Sequence, residues 1–203
     1  VQVWKRDVGA TVEAAEIPAP SVACELRIPP YEPRVRELAH LSAPEGYFED
    51  LAPGDTIEHS RGRTITTEHI ALTAQLDNTS QVHCNQLMID QNPEKYIGGQ
   101  LIVYGGIPFN VCLGLSSPDV GENSLGDVVY RTGRHSAPVF AGDTVFASTE
   151  IRGKRELPGR ADLGIVETVL RGHKLLRRGE GWEKTEIFHL ERDLALKRRS
   201  HYA

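Results

Sequence analysis

The second half of the chain alternates between apolar and polar positions. Four segments rich in β-branched residues follow residue 124, separated by Gly, Pro and Asp: LGDVVYRTG, DTVFASTEIRGKREL, ADLGIVETVLRGHK and TEIFHLERDLAL. Period-two alternation is typical of strands that bury one face. The pattern predicts a meander of antiparallel strands over residues 125–192, joined by a short strand within residues 56–65.

Two apolar segments before these strands have helical spacing. TEHIALTAQ predicts an amphipathic helix that Thr66 or Thr67 can cap. YGGIPFNVCLGLSS predicts a second helix over about residues 105–116, and its apolar side chains cannot share one stripe, so it should be buried on most sides. Early helices followed by strands predict an α+β fold in which a curved antiparallel sheet wraps around the second helix.

Residues 1–46 lack this periodicity. VQVW alternates like a strand but is cut off by KRD, and a lone strand is not stable by itself. Six of the 12 prolines lie between residues 18 and 44. We therefore expect residues 1–6 to be the last strand of another domain, residues 7–46 to be a Pro-rich linker, and residues 47–203 to be one compact domain.

Composition excludes several classes of protein. The chain has 203 residues, 39% hydrophobic and 25% charged, with a net charge of -5, which fits neither a disordered, a membrane-spanning nor a nucleic-acid-binding protein. Its three cysteines form no disulfide or zinc pattern. No secretory signal is visible, so a cytoplasmic protein with reduced thiols and no bound metal is expected.

Two segments carry candidate chemistry. LDNTSQVHCNQ, residues 76–86, places many polar groups between two apolar helices, and His83 within it can exchange protons near neutral pH. YGGIP starts the second helix, where the amide groups of Gly105 and Gly106 can face developing negative charge. The alternatives are a histidine satisfied by local hydrogen bonds and glycines that only let the helix pack closely.

The order of these segments resembles the MaoC-like dehydratase family, whose fold is the hot dog. The resemblance rests on YFEDLAPGDTI, RTITTEHI, the polar run ending at His83, LIVYGG and APVFAGDTVFASTEI, over about residues 47–192. DNTSQVHCNQ, GRHSAPVFAGDTVFASTEI and LPGRADLG resemble, more narrowly, the C-terminal half of a double hot dog member. The family implies a hydratase or dehydratase acting on an enoyl-CoA thioester such as mesaconyl-CoA, with a second hot dog domain as partner and no cofactor beyond the coenzyme A of the substrate.

The polar run departs from the family pattern. The family carries an Asp five residues before the His and another two residues after it, whereas Asn78 and Asn85 stand at these positions here. Asp77 is the only carboxylate in the run, one residue out of register. The resemblance implies that His83 transfers the proton, with Asn78 holding the water or Asp77 turned inward as a partner.

The family resemblance also assigns the substrate-binding groups. Tyr104 and Gly105 stand where the family has His-Gly, so Gly105 and Gly106 become the candidate donors to an enolate oxygen. A dicarboxylic substrate needs a cation, for which Arg134 beside His135 is the first candidate. Arg131 belongs to the same segment but lies on the opposite face of the strand, and Arg160 is the second candidate.

Two other functions stay open. Hot dog modules also hydrolyse thioesters, which would require a carboxylate that activates water at the carbonyl. A third possibility is a half that binds acyl-CoA without catalysis. No glycine-rich dinucleotide motif is present, so no redox cofactor is expected.

Overall fold

The computed structural model describes residues 28–203. The predicted strand at residues 1–6 and the first part of the predicted linker, residues 7–27, lie outside this range. The described part of the linker contains a 3-10 helix, Pro33–Leu41, which contacts the C-terminal helix α4, Arg199–Tyr202. Among residues 28–203, no helix is long and apolar enough to cross a membrane.

A six-stranded antiparallel sheet forms most of the domain. Its strands are β1 (Thr56–Glu58), β2 (Arg63–Thr64), β3 (Ser124–His135), β4 (Thr144–Glu156), β5 (Leu163–Arg178) and β6 (Gly181–Lys197). The order is β1-β4-β5-β6-β3, and β2 also pairs with β4. The predicted strands are therefore confirmed. The predicted meander is wrong for β3, because a meander would place β3 beside β4, whereas β3 pairs with β6 and forms an edge of the sheet.

Three α-helices of the described range precede β3: α1 (Thr67–Gln75), α2 (Gln86–Asp90) and α3 (Gly106–Ser116). Helix α3 packs against β4 and β5. Cys112 of α3 is fully buried and contacts the backbone of Gly172 in β5, where no side chain stands in the way. This close approach places α3 within the curve of the sheet, as the hot dog prediction requires. The surrounding core contains Ile65, Val103, Ile107, Val145, Ala147, Leu170, Ile187, Phe188 and Leu190.

The predicted burial of α3 on most sides is only partly correct. Ile107, Pro108, Cys112 and Ser116 are buried, whereas Asn110 and Gly114 are exposed. The remaining apolar side chains are half-buried because the sheet covers one side of the helix only: Phe109, Val111, Leu113 and Leu115. Helix α3 thus keeps one open face.

The C-terminal helix is anchored by an ionic network. Tyr202 of α4 donates to Asp162 at 2.7 Å, and Arg160 donates twice to the same carboxylate, at 2.8 Å each time. The Arg160 guanidinium holds the pKa of Asp162 at about 2. The Arg160 guanidinium is therefore occupied by a carboxylate of the fold itself.

Candidate active site

His83 ends a 3-10 turn, Gln81–His83, between α1 and α2. Its Nδ1 lies 2.7 Å from the carbonyl oxygen of Ile102. Because a carbonyl only accepts, Nδ1 must carry the proton, and the neutral imidazole keeps its lone pair on Nε2. The amide of Ile102 donates to the carbonyl of Val82 at 3.1 Å. The turn that holds His83 and the segment around Ile102 are therefore joined by one side-chain and one backbone hydrogen bond.

The segment that holds His83 continues into the start of α3. Ile107 donates its amide to the carbonyl of Tyr104 at 2.8 Å, whereas within residues 28–203 the amides of Gly105 and Gly106 donate no hydrogen bond. Such orphan amides, at the positive end of the helix dipole, can stabilise a developing oxyanion. The ring of Tyr104 packs over Gly106 and meets the ring of His83 edge-on, with centroids 5.8 Å apart.

His83, Gly105 and His135 line one cavity of about 380 Å³. The rest of its wall is mostly apolar and comes from the segment before α3, from α3 itself and from the segment after β3: Ile102, Val103, Pro108, Ser136, Ala137, Pro138 and Val139. Among residues 28–203, no carboxylate lines this cavity. The structure therefore brings the predicted histidine and one predicted oxyanion donor to the same cavity. Among residues 28–203, no cluster of His, Cys, Asp or Glu could bind a metal ion.

His135 is the second imidazole of this cavity and ends β3. Its ring packs against Phe188, with centroids 5.2 Å apart, and against the backbone of Gly105. These contacts remove part of the hydration of the ring and lower the pKa of His135, although the rest of the side chain is exposed. At neutral pH it is an uncharged group that can donate one hydrogen bond and accept another.

Asp77 and Asn78 lie outside the cavity wall. Asp77 follows the end of α1 in the left-handed region, with φ 51°, and its side chain is exposed. This conformation ends the helix and does not produce the predicted inward turn. The side-chain oxygen of Asn78 accepts from the amide of Ser80 at 2.9 Å, a local turn contact. Their partnership with His83 stays a prediction.

Asn85 also has local partners. Its Oδ1 accepts from the amide of Met88 at 3.0 Å and caps α2, and its Nδ2 donates to Gln81 at 2.6 Å. The side chain that stands where the family has a second acid therefore stabilises the start of a helix.

The arginines predicted to bind a substrate carboxylate all have partners. Arg134 is exposed beside His135 but pairs with Glu186 at 3.3 Å, and is not part of the cavity wall. Arg131 pairs with the buried carboxylate of Asp193, and Arg160 with Asp162. None of the three offers an unpaired guanidinium to the cavity.

Sequence reasoning missed the segment that forms much of the cavity wall. Residues 136–139 follow β3 directly, and Val103 donates its amide to the carbonyl of Val139 at 2.8 Å. An apolar run immediately after His135 was the available signal. In the sequence this run was assigned to a family motif and not to the wall of a cavity.

The sheet curves around α3, and the turn that holds His83 is bonded to the segment just before this helix. This arrangement defines a hot dog protein similar to the MaoC-like dehydratases. No family model matches the sequence. A solved structure described as a putative MaoC domain protein dehydratase from Chloroflexus aurantiacus is 30% identical, with a TM-score of 0.68, over 80% of this chain and 47% of that one. A MaoC-like dehydratase from Rhodospirillum rubrum, 20% identical with a TM-score of 0.56 over 75% and 97% of the two chains, shares the fold.

Two curated relatives are more specific. The β-methylmalyl-CoA dehydratase of Chloroflexus aurantiacus is 34% identical over 82% of this chain and 47% of its own length. The mesaconyl-CoA hydratase of Cereibacter sphaeroides is 32% identical over 84% of this chain and 48% of its own length. The chain thus spans about half the length of the curated relatives it matches. The predicted resemblance and the predicted hot dog fold are both confirmed.

Proposed function

We propose that the chain is a hydro-lyase that adds or removes water at an enoyl-CoA thioester. The observation that carries this proposal is the shared cavity, where His83 has a free Nε2 and Gly105 begins α3 with an amide that has no described partner. A base beside an oxyanion-stabilising helix start meets the two requirements of enoyl hydration. The names of the two curated relatives support the same chemistry.

In the hydration direction, Nε2 of His83 takes a proton from water as the oxygen attacks the β-carbon of the enoyl group. The electron pair of the double bond moves to the thioester oxygen, where the amides of Gly105 and Gly106 stabilise the enolate. The imidazolium of His83 then returns the proton to the α-carbon. Dehydration runs through the same steps in reverse.

His135 positions the water in this proposal. As a neutral imidazole it can hydrogen-bond the water without competing for its proton, because burial lowers its pKa. Asn78 and Asp77, the partners implied by the family, would require a rearrangement of the turn after α1 to reach the same water.

The proposed substrate is a branched enoyl-CoA such as mesaconyl-CoA, with β-methylmalyl-CoA as the hydrated form. Support comes from the relatives' names and from a cavity whose apolar wall suits a short acyl group. The coenzyme A enters as part of the substrate, and the proposed chemistry needs no other cofactor.

A second hot dog domain completes the site in this proposal, supplied by a longer polypeptide or by another copy. Strand β3 is a sheet edge with an exposed Tyr130 and an exposed Val129, and it ends at His135 in the cavity wall. An open edge offers backbone groups for pairing. A domain that pairs there would cover the cavity, and hydrogen bonds to developing charge are stronger without solvent.

We also propose a cytoplasmic location. Cys84 and Cys112, the cysteines within the described range, are both free thiols, which is typical of a reducing compartment. Cell fractionation would check this, and recovery in an oxidising compartment would contradict it.

The test uses the 203-residue chain with mesaconyl-CoA, crotonyl-CoA and itaconyl-CoA, following loss of the enoyl absorbance and release of free thiol separately. We expect His83→Ala to lower turnover about 10²–10⁴-fold, the usual contribution of general acid-base catalysis. The matched control is His40→Ala, at an exposed histidine that only contacts the carbonyl of Glu37. Near wild-type hydration by His83→Ala would refute the assignment.

The same assay separates the alternatives. Thiol release without hydration would indicate a thioesterase, for which the part of the cavity wall formed by residues 28–203 provides no carboxylate. Binding of acyl-CoA without either reaction would indicate a non-catalytic half. Activity that rises more than linearly with protein concentration, together with a mass measured by sedimentation, would test the requirement for a second hot dog.

A further inference from the structure

A second cavity of about 370 Å³ lies beside the open face of α3. One side consists of three side chains that can carry positive charge, Arg61, Arg63 and His69. The α3 side and the turn after it contribute small, apolar or neutral residues: Asn110, Val111, Gly114, Leu115 and Pro118. Within the described part of the chain no carboxylate lines this cavity, so the wall formed by residues 28–203 is cationic.

The backbone places both arginines on the same side. Arg63 belongs to β2, where it pairs with Val145, and Arg61 lies two residues before it, so that both side chains line the cavity. Gly62, between them, faces the opposite side, where an added Cβ would lie 2.5 Å from the ring of Phe146. The two guanidinium groups are thus directed by the fold to one cavity.

Neither guanidinium has an ionic partner within residues 28–203. By contrast, Arg131, Arg160 and Arg192 all pair with carboxylates. Both arginines are exposed, so water screens much of their mutual repulsion, but both charges attract an anion placed between them. The arrangement therefore favours an anionic ligand.

His69 adds a third donor. Its Nδ1 accepts the amide proton of Thr66 at 3.0 Å, so the proton of the neutral ring resides on Nε2. The ring can therefore donate a hydrogen bond whether it is neutral or charged.

Helix α3 connects this cavity to the proposed active site. Nδ2 of Asn110, in the second cavity, donates to the carbonyl of Gly106 at 2.7 Å. Four residues separate them, about 6 Å along the helix axis. The second cavity therefore begins about one helical turn from the helix start that lines the first cavity.

We propose that Arg61 and Arg63, assisted by His69, bind an anionic group of the acyl-CoA substrate, an inference that rests on the proposed function. The shared chemistry is a planar or tetrahedral oxyanion, which the guanidinium fork binds through paired hydrogen bonds. It belongs either to the free carboxylate of a dicarboxylic acyl group or to a phosphate of coenzyme A.

The experiment compares Arg61→Gln, Arg63→Gln and the double variant with Arg177→Gln, an exposed arginine on the β5–β6 hairpin. We expect the double variant to raise KM at least tenfold with little change in kcat, and Arg63→Lys to restore only part of the loss. A rise for mesaconyl-CoA but not for crotonyl-CoA identifies the acyl carboxylate. An equal rise for both identifies a phosphate.

Binding measurements separate this inference from the proposed function. The affinities of the wild type and the double variant are measured by calorimetry for coenzyme A and for free mesaconate. A loss of affinity for either one supports the anion site, even if the chain turns over no substrate and the hydratase proposal fails. Unchanged affinities together with unchanged KM values would overturn the anion site while leaving the hydratase proposal intact.

Discussion

The imidazole of His135 occupies the space that a side chain at residue 105 would need. A Cβ added to Gly105 would lie 2.7 Å from Nε2 of His135, closer than side chains pack. The end of β3 and the start of α3 can therefore meet in the cavity wall only because residue 105 has no side chain. This contact makes position 105 sensitive to the smallest substitution.

We expect Gly105→Ala to lower hydration at least tenfold, because the added methyl group must displace His135 or the amide that faces the cavity. Gly181→Ala is the control, since its Cβ would meet nothing closer than 3.8 Å. Turnover and thermal unfolding are measured for both. Unimpaired turnover by Gly105→Ala would show that this contact does not position the site.

Gly172→Ala should destabilise the domain by about 1–3 kcal/mol, the usual cost of overpacking a core. The added methyl group would clash with the sulfur of Cys112, which holds α3 against β5. Adding Cys112→Ala should recover part of the loss, although Phe188 at 3.1 Å remains in contact. Denaturant unfolding of the two single variants and the double variant measures the coupling. Additive effects would contradict a direct clash.

Asp162→Asn should lower the free energy of unfolding at neutral pH by about 3 kcal/mol, the scale for breaking a buried ion pair. Hydrogen bonds from Arg160 hold the folded-state pKa near 2, below the usual 3.8, so the carboxylate stabilises the fold above pH 3.8 and loses this effect as the pH falls towards 2. The wild type should therefore approach the variant in acid. Asp77→Asn, at an exposed position, is the control and should change little.

His173 should make the fold less stable in mild acid. Burial, followed by the charge of Lys184, lowers its pKa below the usual 6.5, although Glu58 acts in the opposite direction. The unfolded chain then binds the proton more readily, so stability is complete above pH 6.5 and declines as the pH falls below it. His173→Phe, which keeps a ring against Phe146, should flatten the decline. An unchanged pH profile would show that another group causes the loss of stability in acid. His135, whose pKa is also lowered, would then be the next candidate.

The sequence predicted the elements of the fold well because their hydrophobic periods are long and regular. Strands β4 to β6 and helix α3 lie where the patterns place them. The pairing of β3 with β6 was not predictable in this way, since alternation identifies a strand but not its neighbour. The open face of α3 was also missed, because an apolar helix does not show which of its sides the sheet will cover.

The sequence could indicate candidate site residues whose positions depend on the local backbone. His83 and Gly105 share a cavity because a turn and a helix start place them there. Arg134 was chosen by residue type and chain position alone, and neither reveals that Glu186 lies 3.3 Å away. Arg61 and Arg63 drew no attention, because a surface arginine looks the same in sequence whether or not a carboxylate pairs with it.

The hydrogen bond from His83 to the carbonyl of Ile102 has a mechanical consequence. The backbone segment that accepts this bond reaches Gly105 three residues later, so the proposed base and the proposed oxyanion donor are joined by one short segment. A shift of that segment moves both together and preserves their spacing. We therefore expect acyl groups of different bulk to displace the two proposed groups as a unit, so that proton transfer and charge stabilisation stay aligned.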